Sequence, residues 1–233
     1  MPEGILLVNK PVDWTSFDVV NVIRKTIAGH LNVRSKSVKV GHSGTLDPFA
    51  TGLLIILVGK NYTKQMNQML KMDKEYQATI MLGKTSDTGD PEGNISIQSN
   101  DQPATGEIVK TLASFLGEIE QIPPAHSAIK INGVRSYKLA RQGKFVDIPP
   151  RLVKIKTIEL LDYAYPEIKI LTEVSSGTYI RSLVSGIGEK LGVGAYTEEL
   201  IRTKIGQYDL GSAMSMSGDI TFVELMNNLI THI

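Results

Sequence analysis

The sequence predicts an α+β protein. Three observations carry that prediction. Phe17, Val20, Ile23 and Ile27 recur at helical spacing; Lys154 to Tyr163 and Ile168 to Ser175 alternate like two antiparallel strands; and Asn132-Gly133 between apolar segments is a strong hairpin signal. The chain has 233 residues, enough for a substantial core in one large domain or one and a half. Its 42% hydrophobic and 21% charged residues are the proportions of a soluble globular protein.

Taken in order, Gly4 to Val8 reads as a buried strand that Lys10-Pro11 ends. Ser16 is the expected N-cap of the first helix. Val38 to Val40 and Leu53 to Val58 predict two strands flanking the loop GHSGTLDPFATG. Tyr62 to Met72 reads as a helix whose methionines belong to the core. Glu75 to Leu82 reads as a strand, Asp87 to Gly93 as a turn-rich loop, and Thr105 to Leu116 as a helix with Ile108, Leu112, Phe115 and Leu116 inward. After the hairpin, Ser136 caps a short basic helix, Thr178 is the expected cap of a helix over Tyr179 to Leu191, and Phe222 to Ile230 is amphipathic.

Composition removes several function classes. There is no cysteine, hence no disulfide framework and no thiolate metal site. The apolar run Ile5 to Val8 is too short for a signal peptide or a membrane span, so the expected compartment is the cytoplasm. A net charge of +1 does not mark a nucleic-acid binder, but its distribution is more telling. Arg24, Lys25, Arg34, Lys36 and Lys39 fall between Val19 and Leu46 without one Asp or Glu. Lys130, Arg135, Lys138, Arg141, Lys144, Arg151, Lys154 and Lys156 follow Ala125 with only Asp147 against them, and the stretch from Asp87 to Glu120 is acidic. Two basic segments around an acidic one predict a one-sided surface suited to phosphates.

Asp47 is the one carboxylate of the Gly41–Leu54 stretch. The glycines there permit backbone angles closed to other residues, while Pro48 fixes its own φ and keeps Asp47 out of the helical region. Such residues also punctuate ordinary turns, so the loop by itself fits either a structural or a catalytic aspartate. Familiar site motifs fail. GxxxxGK[ST] would need glycine at Leu54 and Ser or Thr at Asn61, GxSxG would need glycine at Thr45, and Gly186, Gly188 and Gly192 miss GxGxxG by one. Tyr76 on its strand and the lone His126 are, from the residues alone, a strand-face tyrosine and a surface histidine.

GHSGTLDPFATGLL resembles the signature loop of the bacterial tRNA pseudouridine synthase B (TruB) family. Other segments resemble that family in its order. These are NKPVDWTSFDVV, with Asp13 where a glycine is usual; KEYQATI; the basic run QIPPAHSAIKINGVRSYKLARQG; SSGTYIRSL; and ELIRTKIG, where Ile201 replaces the first of two adjacent arginines. The resemblance implies a pseudouridine synthase fold, a mixed and largely antiparallel sheet with flanking helices. It implies a catalytic domain over residues 1–210 with an RNA-gripping insertion at 125–150. Residues 211–233 are then a short C-terminal helical tail where most bacterial members carry a PUA domain.

The implied activity is conversion of uridine 55 in the tRNA T-loop to pseudouridine by a monomer, with no cofactor and no metal. Asp47 is then the catalytic residue, with Tyr76 and Arg181 as the other site residues. Leu200 would wall the flipped base opposite Tyr76, and His42 would help replace or stabilise it. Lys36, Lys130, Arg141 and Arg202 would hold the tRNA. Arg181 falls in the first turn of a helix, where the dipole disfavours a cation, and pairing with Asp47 would supply a reason for it. The reaction leaves two routes open, attack of the carboxylate on the sugar or abstraction of its C2′ proton. Two alternatives stay open: an H/ACA-guided synthase acting on ribosomal RNA, which shares the loop but normally carries a PUA domain, and, in a different class, a tRNA-binding or folding module that does not catalyse.

Overall fold

Residues 1–127, 129–131, 133–136, 139, 142 and 147–231 are described by a computed structural model; for Lys130, Ile131 and Arg135 the description is confined to the backbone. The chain forms two compact units, Met1–Tyr76 with Ile201–Ile233, and Gln77–Leu200. It passes from the first to the second within one strand and returns within another.

In the first unit β1 (Gly4–Lys10) pairs antiparallel with β3 (Thr51–Val58), from Gly4↔Val58 to Lys10↔Gly52. On the other side of β3 lie β2 (Val40–His42), antiparallel, and the Ile201–Arg202 part of β12 (Ala195–Ile205), parallel. β13 (Tyr208–Asp209) folds back on β12, and β14 (Met214–Ser215) runs parallel along the outer edge of β1. The period of two sorts the side chains. Leu6, Val8, Leu54, Ile56 and Val58 meet Val19, Val20, Ile23 and Ile27 of the Ser16–His30 helix. Ile5, Leu7, Leu53, Ile55 and Leu57 share the opposite face with Met69 and Ile205. Both faces are covered, so β3 is apolar along its length where a half-solvated strand would alternate.

The first helix starts as expected, but Ser16 is not its cap. Thr15 is: its hydroxyl accepts from Asp18 N while Asp18 accepts from Thr15 N, a capping box that leaves the Ser16 hydroxyl for other work. The expected Tyr62–Met72 helix is two short ones, Lys60–Thr63 and Met66–Leu70, with Met69 in the core. The C-terminal residues are built into this unit. Beside the Phe222–Asn227 helix, Met216, Ile220 and Leu225 are core residues, and Ile230 bridges to Ile5 through two backbone hydrogen bonds of 2.9 Å.

In the second unit the strand order is β4 (Lys74–Leu82), β11 (Glu167–Val174), β10 (Arg151–Ala164), β7 (Gly117–Gln121). β10 is antiparallel to both neighbours; its pairing with β11 is the one the alternation predicts, and its pairing with β7 was not expected. β5 (Lys84–Ser86) pairs with β6 (Ile95–Ile97), and β8 (Lys130–Ile131) with β9 (Val134–Arg135) around Gly133 at φ +83°, the predicted hairpin; Asn132 lies outside the described residues. The Thr105–Ala113 helix packs on β10 and on the Ile180–Lys190 helix. It ends short of Leu116, which is 48% exposed against expectation, because Gly117 at φ +96° turns the chain into β7. Thr178 does not cap the second helix; its hydroxyl bonds the Ser175 carbonyl and Tyr179 takes the cap position. Most of the described strand pairs are antiparallel, in a mixed α/β architecture. Among the described residues no helix is long and apolar enough to cross a membrane.

Candidate active site

Asp47 is half-buried in a turn closed by Ala50 N on the Asp47 carbonyl at 3.1 Å. The loop around it is fastened at nearly every step. The Ser16 hydroxyl accepts from Leu46 N at 2.9 Å and donates to the Leu46 carbonyl at 3.2 Å, in buried surroundings. The Pro48 carbonyl accepts from Asp13 N at 2.9 Å and from Lys10 Nζ at 3.1 Å. Arg202 joins the two ends: Nε donates to the Leu53 carbonyl at 2.7 Å and Nη2 to the Gly44 carbonyl at 3.1 Å. Gly52, at φ +100°, lies so close to this strand that an added Cβ would sit 2.4 Å from the Arg202 carbonyl oxygen. Asp13 has φ +64°, a left-handed conformation that aspartate tolerates and glycine adopts freely.

Buried positive charge surrounds the loop. Lys10 is fully buried, Arg202 is 1% exposed and Lys74 is buried. Burial lowers the Lys10 ammonium to about 8, against the opposing pull of Asp47 and Asp13, while Arg202 adds to the lowering. Lys10 Nζ meets its donors' needs with the carbonyls of Pro11, Trp14 and Pro48. Lys74 is lowered to about 8 by burial and then by Arg202, with Asp73 opposing. His42 is lowered by burial and then by Arg202, so its imidazole is neutral at pH 7. Its Nδ1 is buried without a hydrogen-bond partner among the described residues.

In the second unit Arg181 occupies the first turn of its helix, 4% exposed. The Asp87–Gly93 loop expected as turns is a socket for it. Arg181 Nη1 meets the Asp90 carboxylate at 2.9 Å and the Thr88 carbonyl at 2.8 Å, and Nη2 donates to the His126 carbonyl at 2.8 Å. Asp90 is held in turn by the Thr88 hydroxyl and by Glu92 N at 3.1 Å. A carboxylate therefore offsets the cation that the helix dipole disfavours. A cavity of about 490 Å³ opens beside Arg181, but Asp87, Glu120 and Glu189 line it, which makes it a poor groove for phosphates.

The other expected site residues are placed as follows. Tyr76 is a buried residue of β4 and Leu200 a buried residue of β12. Lys36 is exposed in the 3₁₀ turn Ser35–Ser37. Lys130 is the first residue of β8, and Arg141 lies outside the described residues. Arg202, expected to grip RNA, has its guanidinium inside the first unit on two carbonyls of the signature loop. From the sequence Ser16 reads only as a helix cap and Lys10 only as a strand end, and neither they nor Asp90 read as site residues. Lys10 and Ser16 stand in the NKPVDWTSF segment, whose order signals a motif without saying what it touches; Asp90 looks like one more loop acid.

A family model described as "TruB family pseudouridylate synthase (N terminal domain)" matches residues 31–180. A tRNA pseudouridine synthase B of Protochlamydia amoebophila is 45% identical over 228 residues, covering 98% of this chain and 84% of that one. One of Bacteroides fragilis is 48% identical over 210 residues, 89% of each chain. Among solved structures, a chain of a Cbf5-Nop10-Gar1 complex superposes with a TM-score of 0.66 at 28% identity; the match covers 91% of this chain and 52% of that one, so this chain spans about half its length. The pairing pattern, the clamped loop and these similarities agree, and the chain belongs to the TruB family of pseudouridylate synthases.

Proposed function

We propose that this protein converts uridine 55 in the T-loop of tRNA to pseudouridine, with Asp47 as its catalytic carboxylate. The observation that carries the reading is the loop of Asp47, whose backbone is held on both sides of that residue by Ser16, Lys10, Asp13 N and Arg202. The relatives named tRNA pseudouridine synthase B support the substrate.

Isomerisation breaks the N1–C1′ bond, turns the uracil and joins C5 to C1′; the C5 proton is lost and N1 gains one, so no atom enters or leaves. A carboxylate can begin this by attacking C1′ or by taking the C2′ proton, and both routes depend on its placement, since a misplacement of about 1 Å costs on the order of a hundred-fold. The target nucleotide must first leave its stack, at a few kcal/mol, which an aromatic platform offsets by roughly 1–3 kcal/mol. Tyr76 is the proposed platform, Leu200 the apolar wall and neutral His42 the group that helps hold the extruded base. Arg181 is proposed to act together with Asp47, orienting its carboxylate. Lys36 and the 125–150 segment with Lys130 and Arg141 are proposed to hold the T-arm phosphates of a tRNA bound by a cytoplasmic monomer.

The test is Asp47→Asn. Mass spectrometry of a treated tRNA transcript should find no pseudouridine, while tRNA affinity stays within several-fold because phosphate contacts supply most of the binding. Substantial turnover by the pure variant would overturn the assignment, and wild-type protein that binds tRNA without converting it would make this a binding module.

A further inference from the structure

Phe17 is 56% exposed although it opens a helix whose inward positions are filled by Val19, Val20, Ile23 and Ile27. A lone exposed aromatic needs no explanation, but this one is not alone. The Arg24 guanidinium stands over its ring, 5.8 Å from the centroid. Arg24 is itself pinned: Nη2 donates to the Val40 carbonyl at 3.1 Å and Nη1 to Asn21 Oδ1 at 3.3 Å. Phe17, Asn21 and Arg24 thus share a helix face that borders β2, the strand leading into the signature loop. The neighbour of Phe17, Ser16, bonds Leu46, the residue before Asp47. With ~3.8 Å between consecutive α-carbons, the ring's backbone lies within about 15 Å of that of Asp47.

The electrostatic setting selects the partner. From Val19 to Leu46 the chain carries five Lys and Arg and no carboxylate. Lys25, Arg34, Lys36 and Lys39 are exposed. The one acid beside Phe17 on the helix, Asp18, is occupied by its capping box with Thr15, which holds its carboxyl below the usual range. An aromatic ring backed by a fixed guanidinium, within a basic field, suits a π-face joined to phosphates.

We propose that Phe17 and Arg24 form a stacking site for an unpaired nucleobase of the substrate RNA, a neighbour of the target uridine and not the target itself. The ring takes the base, the guanidinium holds the ring's orientation, and the surrounding cations take the phosphates. The site rests on the RNA-modifying reading above. It would let the protein grip a loop whose stacking the flipped target has already broken, independently of the residues that act on the target.

The experiment uses the full chain, a T-arm stem-loop RNA, and the same RNA made abasic in turn at each loop position flanking the target. Phe17→Leu keeps an apolar, exposed side chain without a stacking face, and Phe17→Trp enlarges the face. Phe17→Leu should weaken binding about ten-fold, with Phe17→Trp at or above wild-type affinity and thermal unfolding unchanged in both. On one of the abasic RNAs, wild type and Phe17→Leu should bind alike, which identifies the base. Equal affinity of wild type and Phe17→Leu for the intact RNA would overturn the proposal, as would an equal loss on every abasic RNA, the mark of a general packing defect. A wild-type protein that fails to bind the stem-loop at all would instead overturn the RNA reading beneath it.

Discussion

Arg202 reaches across the base of the signature loop, its Nε on the Leu53 carbonyl at 2.7 Å and its Nη2 on the Gly44 carbonyl at 3.1 Å. One side chain thereby holds both ends of the loop that carries Asp47, while the backbone of the same residue pairs with Gly52. The guanidinium presents its donors as a rigid planar fork that spans both carbonyls, a geometry that the compact ammonium of a lysine on its flexible stem does not reproduce. Arg202→Lys should therefore loosen the loop without uncovering it. The expected outcome is a single-turnover rate lower by on the order of a hundred-fold with RNA affinity within several-fold of wild type. Stopped-flow or quench measurements on a T-arm stem-loop would decide it. An unchanged rate with weakened binding would place Arg202 among the RNA-gripping residues instead.

The Arg181–Asp90 pair is buried on both sides, at 4% and 5% exposure. Removing one member breaks this buried pair, a loss of roughly 3–5 kcal/mol, whereas removing both members together spares part of that loss. Asp90→Leu and Arg181→Met should each lower the urea midpoint strongly, and the double variant should be more stable than either single one. Additive losses in the double variant would show that the two charges do not depend on each other.

Lys10 and Lys74 are both held near 8 by burial, against an ordinary lysine value of 10.5. A base whose folded pKa is depressed binds fewer protons folded than unfolded over that interval, so stability rises with pH between about 8 and 10.5 and the penalty is fully felt below about 8. Urea unfolding followed from pH 7.5 to 10.5 should show this rise against the background of the other groups. Lys10→Met removes one of the two contributions and should flatten the curve. A wild-type stability that falls steadily through this range, with Lys10→Met parallel to it, would mean that the carbonyls of Pro11, Trp14 and Pro48 hold the ammonium charged.

Much of the fold was legible because period and burial coincide. β1, β3, β10, β11 and the Ser16–His30 helix follow their apolar patterns. The errors were local competitions. Thr15 and Ser16 are both good caps, and only Asp18 three residues after Thr15 completes a capping box, which frees Ser16 for Leu46. Thr178 lost the second cap because its hydroxyl found the Ser175 carbonyl first. The site was legible as a motif and illegible as a set of contacts. Nothing in the spacing of Lys10, Ser16 and Arg202 says that all three end on the backbone of one loop, since those partners lie between 30 and 158 residues away. The Asp13 departure became intelligible only with its φ of +64°.

Strand β1 is made first and finished last. Its inner edge finds β3 within the first 58 residues, but its outer edge waits for Met214, Ser215 and Ile230, and the core beneath it for Met216, Ile220 and Leu225. As the chain leaves a ribosome, the continuous unit Gln77–Leu200 has all its own residues before the first unit has its last ones. Until then the half-built sheet offers a row of unpaired N–H and C=O groups along Gly4–Lys10, the kind of edge to which stray strands add. Newborn molecules should therefore pass through a stage that is open to chaperones and to aggregation, and stalling translation before residue 214 should prolong it.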